Sequence, residues 1–231
     1  MSESVTLALL KTQVRETANM ENSQFVSDAE LARYIDLSYA RLYNMLIKAD
    51  DNYYTIGPTE FTVPTGSNSF ALPTDFFKLM GIDCKFGSSW YPIKPFEMAE
   101  RGRWVNANKL AYVGLINIAY KIMGSNIIFY PQESVSGSYR YWYIPQRTPL
   151  VLDTDTMDGL QGFQRFVVID AAIKCLQKEE SDCSALLEEK NEIIAEINSM
   201  ARNRDMGYPK KVQDTTTSYM GLGFGGGFYG R

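Results

Sequence analysis

The 231-residue chain contains no histidine. That absence removes the side chain that titrates nearest neutral pH, the commonest zinc ligand, and the usual base beside a nucleophilic serine or cysteine. Enzymatic hypotheses lose most of their support. Cysteine is scarce: Cys84, Cys175 and Cys183 are an odd set without metal-ligand spacing, and the last two fall in helical periodicity, so all three read as reduced core thiols. No apolar run approaches the roughly 18 residues of a membrane span, and Met1 to Ser4 has neither the basic start nor the apolar stretch of a signal peptide. A chain that stays in the cytosol where it is made is expected. Excess positive charge is also missing, and a formal charge of −4 with a pI near 5.1 argues against gripping nucleic acid with the whole surface.

What is present suits a globular body with an appendage. Hydrophobic residues make up 45% of the chain, ample for a core, and the fifteen tyrosines weakly favour interfaces, where a ring must be dry and its hydroxyl wet. The final twelve residues, Met220 to Arg231, hold six glycines alongside Leu222, Phe224, Phe228 and Tyr229. Glycine loses the most backbone freedom on ordering, whereas these side chains gain most from leaving water. Such a tail cannot fold alone: it reads either as a disordered solubilising end or, as its aromatics favour, as an arm whose pockets another protein's surface supplies. Two fully buried rings would contribute on the order of 2 kcal/mol each before ordering costs, so one copy binds weakly and many bind firmly. Fully extended, about 24 residues reach roughly 80 Å.

Periodicity divides the rest. Residues 4–19 predict a first helix, with Val5, Leu7, Leu9, Leu10, Val14 and Ala18 as its apolar side. Ser27-Asp28-Ala29-Glu30 is a capping box with Val26 and Leu31 placed as a hydrophobic staple, and it opens a helix running to about Asp50. From Asn52 to Leu150 the pattern turns to strands, including Glu60–Pro64, Ser69–Leu72 and Asn126–Pro131. Thr62 to Leu72 predicts a hairpin about Gly66 and Asn68, and Lys121 to Phe129 predicts another turning at Gly124 to Asn126. Ser138 to Ile144 predicts a strand with Tyr139, Tyr141 and Tyr143 on one face. Helical period returns at Gly162–Glu180 and Ser184–Arg204, joined by so short a link that an antiparallel helix hairpin follows. The expected fold is α+β: a small antiparallel helical bundle (residues 1–51 and 151–205) with an inserted β-rich module (52–150) and an extended C-terminal arm (206–231).

Three polar constellations bear on chemistry. Asp153, Asp155 and Asp158 could hold a hard cation, but they lack the central glycine and later glutamate of a calcium loop, which favours acids placed near the start of the third helix. Glu97 and Glu100 beside Arg101 and Arg103 read as a solvated turn with Glu97 and Arg101 paired. Trp90, Tyr91 and the Tyr139 to Tyr143 stretch, including Trp142, with Arg140 and Arg147, could stack single-stranded nucleic acid, although alternating aromatics more often pack a sheet face. No metal, no cofactor and no catalytic set is expected.

The order of elements resembles the head-tail adaptor, or connector, proteins of tailed bacteriophages. The resemblance lies in Phe25 to Asp36 (FVSDAELARYID), Phe70 to Asp83 (FALPTDFFKLMGID), Tyr143-Ile144-Pro145, and the helix entry from Gly162-Phe163-Gln164 to Ala172. It implies a structural virion protein in the neck between capsid and tail, assembled in the host cytoplasm as a ring of twelve under the portal, with tail or nozzle proteins on its other side. It also implies that the C-terminal segment reaches the portal, a role that falls on Tyr219, Met220, Leu222, Phe224, Phe228, Tyr229 and Arg231. Twelve chains at −4 would carry about −48, a lining along which DNA slides without specific binding. The alternatives are a stopper or tail terminator, or a single-stranded nucleic-acid binder.

Overall fold

The computed structural model describes residues 5–21, 25–50, 52–100, 102, 118–131, 135–157 and 163–202. Helix α1 (Leu7–Thr17) starts where the Thr6 hydroxyl accepts from the Leu9 amide. Helix α2 (Asp28–Ala49) starts at Ser27, whose hydroxyl accepts from the Glu30 amide at 3.3 Å. Only half of the capping box forms, because the Glu30 carboxylate turns instead to the Tyr34 hydroxyl at 3.0 Å and to Lys178 Nζ at 2.6 Å. Val26 and Leu31 are buried in one core, as the staple requires. Helices α3 (Gln164–Lys178) and α4 (Ser184–Arg202) follow the sheet and are the remaining α-helices among the described residues. Leu10, Val14, Leu31, Ile35, Leu42, Phe166, Val167 and Ile197 fill the space between the four.

The expectation of a helical bundle with an inserted β-rich module is overturned. The dominant architecture is a seven-stranded sheet, curled nearly into a barrel, with the four helices packed beside it. Its strands are β1 (Ile56–Val63), β2 (Ser69–Ala71), β3 (Phe76–Phe86), β4 (Ser89–Pro95), β5 (Ala119–Met123), β6 (Asn126–Tyr130) and β7 (Gly137–Pro145), in the order β1-β7-β3-β4-β5-β6-β2. The sheet has its own core, with Phe61, Val63, Ile82, Cys84, Ile127, Phe129, Tyr139 and Tyr141 pointing inward. Aromatic packing draws its edges together: Phe61 on β1 and Phe70 on β2 lie 4.0 Å apart between ring centroids. A sheet closed this way needs no helical layer over its inner face.

That closure also corrects the first hairpin. Ser67 donates to the Pro64 carbonyl and Gly66 takes a φ of +84°, so a turn forms, but β1 pairs with β7 and β2 pairs with β6. The turn carries the chain from one edge of the sheet to the other. The second hairpin forms as its sequence predicts, with Met123 opposite Asn126 across Gly124 and Ser125. A seam joins sheet to helices, where Tyr43, Ile47 and Ile144 pack together and Arg147 grips Asp36 through two hydrogen bonds of 2.5 and 2.7 Å.

Candidate partner-binding surfaces

The arm residues Tyr219, Met220, Leu222, Phe224, Phe228, Tyr229 and Arg231 lie outside the described residues, as do Asp158, Arg101 and Arg103. Asp153 and Asp155 serve the first helix, not the third. The Leu7 and Ala8 amides donate to their backbone carbonyls at 2.9 and 3.2 Å, and Lys11 Nζ reaches the Asp153 carboxylate at 2.5 Å. The Asp155 side chain accepts from the Leu152 and Val151 amides, both at 2.7 Å, and these bonds hold its carboxyl below the usual range. Among the described residues no group of three His, Cys, Asp or Glu is placed to hold a metal ion.

The stacking platform comes apart along the strand. Tyr139, Tyr141 and Tyr143 all point into the sheet's core, and burial pushes each phenol above its ordinary value. The even-numbered residues take the other face, with Ile144 buried against the helices and Arg140 and Trp142 partly exposed. There the Arg140 guanidinium sits 4.7 Å from the Trp90 ring and 5.0 Å from the Trp142 ring, and its charge is met by Asp83 at 2.7 Å. Lys85 Nζ also lies over the Trp90 ring, 5.4 Å from its centroid. Arg147 is spent on Asp36, so Arg140 is an occupied cation between two indoles and the tyrosines are unavailable to bases.

A different feature arises from the uneven lengths of β3, β4 and β5. Strand β4 pairs with β3 from Ser89 opposite Phe86 to Ile93 opposite Ile82, and touches β5 only at Lys94 and Pro95. Pro95 lacks an amide donor, and the chain then turns into the 3-10 turn Met98–Glu100. Both flanking strands continue past that point, β3 back to Phe76 and β5 on to Met123. Among the described residues no strand lies between them there, and since neighbouring strands stand about 4.8 Å apart, two such spacings make a slot roughly 10 Å wide. It forms an open groove of about 430 Å³ lined by Phe76, Phe77, Leu79, Pro95, Tyr120 and Ile122, with Lys78 and Lys121 beside them. Strands β3 and β4 are not among the runs singled out in the sequence, although Gly87-Ser88 between two β-prone runs signals their hairpin.

The ionisable residues inside the fold are matched rather than poised. Asp170 is 2% exposed and meets Lys174 Nζ at 2.5 Å, Lys190 Nζ at 2.6 Å and Arg41 at 3.2 Å. Burial pushes its carboxyl up, but the lysine hydrogen bonds outweigh that and hold it at about 2. Apolar side chains on the outside are more suggestive of partners: Val151 and Leu152 are 70% and 63% exposed, and Phe25, Leu37, Phe77 and Phe86 are each about half exposed. Among the described residues no helix is long and apolar enough to cross a membrane.

A model of the SU10 adaptor protein family matches residues 5–214. No curated protein matches the chain. The matched span takes in every helix and strand of the described residues, and it stops short of the glycine-aromatic stretch from Met220 to Arg231.

Proposed function

The chain belongs to the SU10 adaptor protein family, a family of phage head-tail adaptors, and from that membership we propose that it forms a ring joining the portal to the tail. The family makes it a structural phage protein; its place in the neck, its ring and its partners are the proposal. In this reading each copy presents one face to one neighbour and a different face to the other, as cyclic symmetry requires. Tyr219, Met220, Leu222, Phe224, Phe228, Tyr229 and Arg231 dock on the portal, tail or nozzle proteins meet the opposite end, and DNA passes along a predominantly acidic lining.

The match across residues 5–214 carries the reading. Exposed apolar residues on separate elements support it: Leu37 on α2, Phe86 on β3, and the Val151-Leu152 loop would all be covered by neighbours in an assembly. The experiment is to mix the purified protein with the purified portal and weigh the products by native mass spectrometry. A complex containing many copies on one portal is expected. Failure to bind, or binding only to tail proteins, overturns the portal contact.

A further inference from the structure

We propose that the slot between β3 and β5 accepts an added strand, and that this strand is the Tyr219–Gly225 segment of the chain's own C-terminal arm. The slot has the dimensions of a strand. Its β3 wall, Phe76–Leu79, spans roughly 13 Å, the length of four extended residues, and among the described residues no strand continues β4 between the two walls. It also has the polarity of one. Phe76, Leu79 and Ile122 are partly buried against the sheet's core, so a strand laid between them would send alternate side chains into that core and the rest outward.

The arm carries the matching pattern. Met220-Gly221-Leu222-Gly223-Phe224-Gly225 places an apolar residue at every second position and no side chain between them. Extended, it has one apolar face and one bare face. Glycine weakens a free strand, so this segment will not form one alone, but addition to existing strands supplies what it lacks. Reach is sufficient: the seventeen residues from Asn203 to Tyr219 extend roughly 55 Å, beyond the roughly 45 Å diameter of a folded chain this size. The inference stands apart from the portal reading. If the arm also docks on a portal it uses the same side chains, so the slot holds the arm until the portal competes for it.

The test uses the chain ended after Ser218 and a fluorescein-labelled synthetic peptide of Tyr219–Gly227, read by fluorescence anisotropy with no portal present. Saturable binding is expected. Leu222→Asp with Phe224→Asp in the peptide should weaken it at least tenfold, and Leu79→Glu in the slot should do the same. The full-length chain should bind the labelled peptide at least tenfold more weakly, because its own arm competes. Circular dichroism checks that the slot variant folds; if it does not, the peptide substitutions and the full-length comparison still decide. No saturable binding, indifference to the peptide substitutions, or equal binding by the full-length chain overturns the proposal, and none of these outcomes bears on whether the portal is bound.

Discussion

Replacing Asp170 with asparagine should cost about 3 kcal/mol of stability at neutral pH. The substitution nearly preserves shape but removes the single negative charge at which Lys174, Lys190 and Arg41 converge. Lys190 keeps only 11% of its side chain exposed, so its ammonium would be stranded in a poor dielectric. Removing one partner of a buried pair typically costs about 3 to 5 kcal/mol. Proton linkage points the same way: a carboxyl held at about 2, against an ordinary 3.8, corresponds to stabilisation on the order of 2 kcal/mol. The folded value is the lowered one, so this stability is complete above pH 3.8 and drains away as pH falls through 2. Urea unfolding followed by far-UV circular dichroism at pH 7 should show the midpoint falling with the slope unchanged, and thermal unfolding should show a drop of roughly 6 to 12 °C. Adding Lys190→Met to Asp170→Asn should recover part of the loss by removing the stranded cation. A loss under about 1 kcal/mol would refute the view that this cluster ties α2, α3 and α4 together.

Gly57→Ala should destabilise the fold by about 2 kcal/mol or more, since φ there is +125° and a Cβ would lie 2.7 Å from the Tyr141 carbonyl oxygen; thermal unfolding checks it. Phe61→Ala should cost about 3 to 5 kcal/mol in urea unfolding, because Phe61 packs on Phe70, Phe129, Tyr139 and Tyr141 where the two sheet edges meet. A maleimide at pH 8 should label only Cys183 quickly in the native protein and all three cysteines in denaturant. Cys84 and Cys175 are buried, and burial raises the Cys175 thiol to about 11.

Features fixed within a few residues were legible in the sequence. Ser27 caps α2, Gly124 turns β5 into β6, and Tyr139, Tyr141 and Tyr143 share a face, each through local geometry alone. Partner choice between distant segments was not. Thr62 to Leu72 has the composition of a hairpin, yet β1 and β2 are separated by five other strands because Phe61 and Phe70 meet only after the sheet curls. Glu30 has the spacing to complete a capping box, but Lys178, 148 residues away in sequence, takes its carboxylate. The slot is a further case: Pro95 announces where β4 ends, but only the registers of β3 and β5 reveal that both neighbours run on without it.

Electron cryo-microscopy of the intact virion, with the density at the neck resolved well enough to trace chains, tests the central claim most directly. Copies of this seven-stranded sheet and its helices should be arranged as a closed ring between portal and tail, with the C-terminal arms reaching portal density. Its absence from the neck, or its presence only further along the tail, would contradict the assignment as a head-tail adaptor.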